Sequence, residues 1–340
     1  MKPYDELTFR GQILRLRKLC IKALEDYPIE VARVRYLTTE STTMFRVDAR
    51  DGQKYVIRLY SELDSSLAEN EAEMFWLVAL ARDTDLPVVR PVARTDGAYL
   101  TFVSVAGIPG ESHRDAPRKR CALYRWVPGV QLEAYVSPKT YHQLGVIMAG
   151  LHNHAESLEL PAHIRPQRWD KVFYFPDEQA IYHTLEYSHL FTPEQVGFMD
   201  RAIAHVEPNL ASLYRGKGAP FIIHGDLHFW NVHIYRGKLT VIDFEDMALG
   251  YPVQDIAICL YYLRNYKKYA ELASAFQSGY ASARDWPSFR EDDLHKLWMA
   301  RMANFANYAA QVDEPEGARD FIKARCEELE RIMQGQLVRS

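Results

Sequence analysis

The pattern of apolar and polar positions divides the chain into an early part rich in strands and a later part rich in helices. Residues 31 to 60 contain three runs with strand-like alternation, and an Asp51-Gly52 pair separates the second run from the third. Alternating runs joined by Asp-Gly are typical of antiparallel β-hairpins. Two later runs, residues 98 to 103 and 119 to 126, extend the predicted sheet.

Helical periodicity appears near the start of the chain and dominates after residue 137. Residues 10 to 24 form a basic amphipathic helix, whose apolar stripe we expect to pack on its own domain and not on a membrane. Residues 65 to 82 lack Gly and Pro and are rich in strong helix formers. Later helices are predicted at residues 138–156, 192–216, 253–265, 270–284, 291–312 and 317–334. The fold class is therefore α+β, with a small antiparallel sheet first and a larger helical part second.

Polar side chains follow two short apolar runs in the later part. Phe221–Ile223 leads into His224-Gly225-Asp226, with Asn231 five residues after the aspartate, and a β-branched run ends at Asp243. Two aspartates and an asparagine are the minimum set for phosphoryl transfer. Asp226 is predicted to orient a hydroxyl nucleophile and take its proton as the catalytic base. Asn231 and Asp243 are predicted to hold Mg²⁺, a hard cation that prefers oxygen ligands.

Three motifs in order, HGDLHFWN, IDFED and GYPVQDIA, resemble the aminoglycoside phosphotransferase and choline kinase family of small-molecule kinases. The first has the H-x-D-x-x-x-x-N spacing of a kinase catalytic loop, and Glu245 stands where protein kinases carry Gly. The resemblance covers residues 30 to 310. It implies a two-lobed protein-kinase-like fold, with a nucleotide-binding lobe at residues 1–125 and a catalytic, acceptor-binding lobe at residues 126–340. It also implies ATP or GTP as donor, with Mg²⁺.

Arg58 is the predicted cation of the nucleotide site. Strand alternation places Arg58 on an otherwise apolar face with Val56, where an unpaired charge is costly. The resemblance puts Arg58 in the position of the kinase strand lysine, with nucleotide phosphates and a helix glutamate as partners. Glu73 is the expected partner and Glu69 the reserve.

The resemblance assigns further residues to the nucleotide and the acceptor. Ser41, Thr42 and Thr43 lie where protein kinases have a glycine-rich loop, although a plain polar hairpin is an equal alternative. Backbone groups of an interlobe hinge would pair with the adenine edge, at Leu123, Tyr124, Arg125 and Trp126. Trp169 and Asp170 are weaker acceptor-pocket candidates. Asp255, near a helix start, is expected to tie that helix to the catalytic loop.

Composition limits the partners. The 340 residues carry 41 Lys and Arg against 45 Asp and Glu, a net charge of −4. This balance gives no footprint for nucleic acid or an anionic membrane. Four cysteines lack CxxC spacing, and we find neither a signal peptide nor an apolar run of ~20 residues. We therefore expect a cytoplasmic protein that binds a nucleoside triphosphate and a small hydroxylated acceptor, in an undetermined oligomeric state.

Three other functions remain open at this level. A metal-dependent hydrolase would use His224, Asp226 and His228 as a metal cluster, with His152 among further imidazoles. A kinase-like binding module would lack catalysis, although both aspartates that catalysis needs are present. A bacterial Ser/Thr protein kinase would need an activation loop, for which the short link from IDFED to PVQDIA leaves no room. The acceptor is also open: an aminoglycoside, choline or ethanolamine, homoserine, a sugar or a protein. Glu245 and Asp246 weakly favour a cationic one.

Overall fold

The computed structural model of the chain describes residues 3–4, 6–39, 42–60, 65–104, 119–174, 179–215, 218–312 and 315–334. Within these residues the helices are α1 Phe9–Ala23, α2 Leu67–Asp83, α3 Pro138–Ser157, α4 Pro193–Tyr214, α5 Pro252–Leu263, α6 Tyr269–Ala281, α7 Glu291–Val312 and α8 Pro315–Met333. The strands are β1 Val31–Thr39, β2 Thr43–Ala49, β3 Lys54–Leu59, β4 Leu100–Val103, β5 Lys119–Arg125, β6 Val130–Gln131, β7 Gln167–Arg168, β8 Phe221–Ile223, β9 Val232–Tyr235, β10 Lys238–Val241 and β11 Ala248–Gly250.

The chain forms two compact units, and both are discontinuous in sequence. The first consists of Met1–Gly129, Leu160–Arg165 and Thr240–Glu245, and the remaining residues form the second. The first unit contains the large antiparallel sheet, and the second contains most of the helices, so the α+β prediction is confirmed. The lobe boundary between residues 125 and 126 stays a prediction.

The sheet of the first unit has the strand order β1-β2-β3-β5-β4, and each pair of neighbours is antiparallel. The turn between β2 and β3 uses Gly52 with a φ of +84°, a conformation that glycine adopts without a Cβ clash. Inward side chains such as Phe45 and Ile57 pack against Leu16 and Leu19 of α1. The apolar stripe of α1 therefore covers its own sheet. No helix among the described residues is long and apolar enough to cross a membrane.

A late segment of the chain completes the first unit. Val241 forms a parallel bridge with Val88; its N–H donates to Pro87 O at 2.8 Å, and its carbonyl accepts from Val89 N–H at 2.8 Å. Phe244 then packs edge-on against Trp76 of α2, with ring centroids 5.3 Å apart. These contacts fix the position of the intervening Asp243 within the first unit.

The second unit is built mainly from helices α3 to α8. Ser137 caps α3 through a reciprocal capping box with Thr140. Helices α3 and α6 approach so closely that a Cβ on Gly145 would clash with the carbonyl of Phe276, and one on Gly279 would clash with that of His142. Glycine is therefore required at both positions.

Short strands in the later part of the chain form two small sheets, with the orders β10-β9-β6 and β7-β11-β8. The two predicted apolar runs before Asp226 and Asp243 form β8 and β10, which belong to different sheets. Strands β6, β7, β9 and β11 were not predicted. Each contains only two to four residues, too few to show a periodic pattern.

Candidate active site

Arg58 lies at the centre of a buried cluster of charges in the first unit. Its Nη2 is 2.6 Å from Asp243 Oδ1, and its Nη1 is 3.2 Å from Glu245 Oε2 and 3.5 Å from Glu73 Oε1. Burial alone would lower the pKa of Arg58, but the three carboxylates outweigh it and raise the pKa well above its usual value. The guanidinium is therefore a permanent cation with a fixed orientation.

Glu73 also accepts hydrogen bonds from two tyrosine hydroxyls, contacts that were not predicted from the sequence. Tyr60 donates to Glu73 Oε2 at 3.0 Å and Tyr124 donates to Oε1 at 2.9 Å. Burial raises the pKa of Glu73, and Arg58 and the hydroxyls oppose that rise. Glu69, the reserve candidate, instead accepts the backbone N–H of Ser66 at 2.5 Å in the capping box of α2.

Asp243 adopts an unusual backbone conformation. Its φ is +63°, in the left-handed region that favours glycine, and its side chain is 32% exposed. Strained residues of this kind cluster at functional sites. Oδ1 is bonded to Arg58, while Oδ2 has no partner among the described residues. One carboxylate oxygen of Asp243 is therefore available to a cation.

The residues expected in place of the glycine-rich loop are only partly described. Ser41 lies outside the described residues. Thr42 and Thr43 are buried at the start of β2, and the Thr43 hydroxyl accepts from Thr39 at 3.2 Å. The Thr42 hydroxyl has no hydrogen-bond partner among the described residues.

The predicted hinge segment already uses several backbone groups within the first unit. The carbonyl of Leu123 accepts from Val92 N–H at 2.8 Å. The N–H groups of Arg125 and Trp126 donate to Arg90 O at 2.9 Å and to Lys54 O at 3.0 Å. The segment is also paired with β3, Tyr124 lying opposite Val56, so its pairing with an adenine edge stays a prediction. The side chain of Tyr124 points to Glu73.

The Asp226 loop, residues 224 to 231, follows β8 in the second unit. Gly225 has a φ of +79°, and a Cβ there would clash with the carbonyl of Asp246, so no other residue fits. Asp255 of α5 accepts the N–H groups of His224 and Gly225 at 2.9 and 2.8 Å. It also bonds His152 Nε2 at 3.0 Å. Burial alone would raise the pKa of Asp255, but His152 and His224 lower it.

Both carboxylate oxygens of Asp226 are held by donors. Oδ2 lies 3.2 Å from His228 Nε2 and 2.8 Å from Asn231 Nδ2, while Oδ1 forms an ion pair with Arg301 of α7. Burial alone would raise the pKa of Asp226, but the charges of His228 and Arg301 lower it to about 2. Asp226 is thus an ionised carboxylate with a fixed orientation, and 17% of its side chain is exposed.

The amide of Asn231 is oriented by Asp226. Its Nδ2 donates to the carbonyl of Asp226 at 2.9 Å as well as to the carboxylate, and no described residue bonds its Oδ1. Asn231 and Asp243 therefore each present one unbonded oxygen of the type that Mg²⁺ prefers. The chemistry of each oxygen, taken by itself, fits a hard cation, and the assignment of Mg²⁺ to these residues stays a prediction.

Two residues of the second unit around Asp226 were missed. Arg301 is the single charged side chain in the segment LWMARMANFANYAA, residues 297 to 310, and this isolation was the available signal. Tyr262 stacks on His228 with ring centroids 3.7 Å apart, and nothing in the sequence indicated this contact.

The two acceptor-pocket candidates have other roles in the second unit. Trp169 is a core residue, packed with Tyr174 and Ile223 and 2% exposed. Its assignment to an acceptor pocket was wrong. Asp170 pairs with Arg168 at 2.9 Å.

The chain matches the model of the phosphotransferase enzyme family (APH) over residues 36–291. It belongs to this family. Amicoumacin kinase of Bacillus subtilis strain 168 is 24% identical over 301 residues, which cover 83% of this phosphotransferase and 81% of that relative. The predicted family is therefore confirmed, and the chain is a phosphotransferase.

Solved structures share the fold at lower identity. An amicoumacin kinase in complex with AMP-PNP, Ca²⁺ and Ami superposes with a TM-score of 0.74 at 17% identity, over 96% of both chains. A microcompartment-associated aminopropanol kinase gives 0.73 at 19% identity, over 95% of this phosphotransferase and 99% of that chain. A spectinomycin phosphotransferase with ADP and spectinomycin gives 0.64 at 12%, over 94% and 98%. These similarities confirm the predicted protein-kinase-like fold.

The hydrolase alternative is not supported by the geometry of this phosphotransferase. His224 Nδ1 accepts the N–H of Asp226 at 3.3 Å, and His152 is bonded through both ring nitrogens, to Tyr280 and Asp255. Across the part of the chain that the structure describes, no three His, Cys, Asp or Glu side chains are grouped to hold a metal. The H-x-D-x-H spacing therefore reflects the folding of the loop.

Proposed function

We propose that this phosphotransferase moves the γ-phosphate of ATP to a hydroxyl of a small-molecule acceptor, with Asp226 as the residue that orients that hydroxyl. The Asp226 carboxylate is the observation that carries the proposal. It is ionised, held through both oxygens and still partly exposed. A fixed, charged acceptor of hydrogen bonds is suited to aligning a nucleophile for in-line transfer and receiving its proton as the new bond forms.

The nucleotide is assigned to Arg58 and its neighbours. Arg58 is a fixed cation suited to nucleotide phosphates, and its carboxylate partners hold it in place. Asn231 and Asp243 would hold Mg²⁺, which, when bound, neutralises phosphate charge. Binding of AMP-PNP or ADP by the solved relatives supports a nucleotide donor here. GTP is the alternative donor.

The acceptor is proposed to be a hydroxylated small molecule that also carries an amine. Aminopropanol, named for one relative, has both groups, and amicoumacin and spectinomycin are the named substrates of others. Glu245 was a weak sequence argument for a cationic acceptor. Glu245 bonds Arg58 at 3.2 Å, so it is no longer part of that argument, and Asp246 alone retains it. The proposal for the acceptor thus rests on the relatives.

Release of ADP from MgATP, measured across a panel of acceptors, tests the proposed function. The panel contains aminopropanol, choline, homoserine, spectinomycin, other aminoglycosides and sugars, and GTP replaces ATP in a parallel series. At least one hydroxylated amine is expected to stimulate turnover. Failure of every acceptor with both nucleotides would contradict the assignment.

Asp226→Asn separates chemistry from binding in the same assay. The amide keeps the size of the side chain but loses its charge, so turnover should fall by about 10²–10⁴-fold. Nucleotide affinity should change by less than about tenfold, or ~1.4 kcal/mol. Asp200→Asn is the matched control, because Asp200 bonds only Tyr182 and His183 among the described residues. An Asp226 variant with the parent rate would eliminate Asp226 from the mechanism.

A further inference from the structure

Arg301 is a buried cation that the proposed mechanism does not yet use. It lies in the middle of α7, is 5% exposed and has its guanidinium 4.3 Å from the ring centroid of Phe305. Its Nη2 is ion-paired with Asp226 Oδ1. An arginine so enclosed has no free path to a substrate, and any effect on the reaction must pass through its neighbours.

Several side chains surround the ion pair of Arg301 and Asp226. Oδ1 of Asp226 faces Arg301, and Oδ2 faces His228 and Asn231. Tyr262 stacks on His228 and hydrogen-bonds Arg301, while the carboxylate of Asp246 helps to raise the pKa of Arg301. His224 helps to lower the pKa of Asp226. The carboxylate is therefore held from two sides, by the loop at one oxygen and by α7 at the other.

Stability is a poor explanation for this ion pair. Burying two charges costs solvation that their attraction often fails to return. In addition, Nε of Arg301 is buried with no hydrogen-bond partner among the described residues, which adds a further cost. An apolar side chain would suit this otherwise uncharged segment better. The burial of Arg301 is unfavourable for stability, so its presence indicates a role in orienting Asp226.

We propose that Arg301 is a positioning residue for Asp226. Its planar fork fixes Oδ1, which sets the rotation of the carboxylate and leaves Oδ2 in register with Asn231 and the incoming hydroxyl. This inference rests on the proposed function, because it assigns to Asp226 the orientation of the acceptor.

Three variants test the role in the MgATP assay, with aminopropanol as the first acceptor probe. Arg301→Gln should lower kcat by at least tenfold, while the KM for ATP stays within about threefold. Arg301→Lys should recover part of the loss, since it keeps the charge but not the fork. Arg264→Gln is the matched control and should retain parental kcat. It breaks another largely buried arginine–carboxylate pair of the second unit, with Glu328 at 2.5 Å.

A double-mutant cycle distinguishes positioning from general damage. If Arg301 acts through Asp226, adding Arg301→Gln to Asp226→Asn should leave the residual kcat unchanged. Losses that multiply in the double variant, or a parental kcat in Arg301→Gln, would overturn the inference. Thermal unfolding of each variant identifies any that has lost its fold.

A crystal structure of Arg301→Gln provides a readout that needs no turnover. The Asp226 carboxylate should rotate and lose the 2.8 Å bond to Asn231 Nδ2. An unchanged carboxylate would overturn the inference even if every acceptor proved inactive. Absence of turnover in the parent enzyme would count against the proposed function alone, so the two failures are distinguishable.

Discussion

At the scale of single residues, the charge cluster of the first unit depends on the two N–H-bearing nitrogens of one guanidinium, each of which bonds a different carboxylate. Arg58 bonds two carboxylates through different nitrogens, Asp243 through Nη2 and Glu245 through Nη1. A lysine has one nitrogen and cannot reproduce this planar fork. Arg58, which is assigned to the phosphates, therefore directly orients Asp243, which is assigned to the metal.

Removing Arg58 should affect both folding and nucleotide use. In Arg58→Ala three carboxylates lose a buried cation, and we expect a loss of about 3–5 kcal/mol in the free energy of unfolding. The KM for MgATP should rise by at least tenfold, and Arg58→Lys should be milder in both respects. Denaturant unfolding and ATP kinetics measure the two effects. Arg35→Ala is the control: it breaks a half-exposed pair with Asp48, worth about 0–1 kcal/mol.

Asp243→Asn should raise the Mg²⁺ concentration needed for half-maximal turnover by at least tenfold. A carboxylate is a far better ligand for a hard cation than an amide is. Asn231→Ala should raise this concentration less. Mg²⁺-dependent binding of AMP-PNP, followed by calorimetry, checks the effect without turnover. Equal Mg²⁺ titrations for the parent and the Asp243 variant would refute the metal assignment.

Residue types were easier to predict than their partners. The need of Arg58 for a carboxylate follows from one charge on an apolar face, and the resemblance to the family pointed to a helix glutamate, Glu73. The contacts with Asp243 and Glu245 span 185 and 187 residues, and local patterns contain no information about such distances. Arg301 shows the same limit, since its isolation signals a function but its partner lies 75 residues away.

At the scale of elements, the Asp226 loop is held by two helices. Asp255 at the start of α5 binds the N–H groups of His224 and Gly225, and His152 of α3 binds Asp255. The long helices were predicted well because many turns repeat the same period. The short strands and the anchoring of the loop depend on tertiary pairing, which that period does not encode.

Asp255→Asn should loosen this loop. An amide places N–H groups against one of the two backbone donors, which should lower the free energy of unfolding by about 3 kcal/mol. The folded carboxyl has a lowered pKa, so its stabilisation is complete above the usual value of about 3.9 and is lost as the pH falls through the lowered pKa. Denaturant unfolding should show the full difference in free energy of unfolding between the parent and Asp255→Asn at pH 7. This difference should become smaller below about pH 4. A constant difference at all pH values would contradict the role of the charge.

At the scale of the whole molecule, the first unit is incomplete without the segment Thr240–Glu245. A fragment of residues 1 to 129 keeps Arg58 and Glu73 but lacks Asp243, Glu245 and the pairing of Val241 with Val88. Its sheet and α1 are continuous in sequence, so much of its core remains.

This fragment should therefore unfold at a lower temperature than the parent chain. A synthetic peptide of residues 238 to 247 should raise the melting temperature of the fragment, and the same peptide carrying Asp243→Asn and Glu245→Gln should do so less. Calorimetry of the fragment with each peptide measures the difference. No effect of either peptide would contradict the role given to these carboxylates.

The late arrival of Asp243 also has a consequence for the ribosome. Arg58 leaves the exit tunnel 185 residues before Asp243 does, and at 5–20 residues per second this delay is roughly 10 to 40 seconds. During that interval the nascent sheet carries a cation with only one of its three final carboxylates. The first unit is thus translated early but completed late. We expect it to remain a substrate for chaperones until most of the chain has emerged.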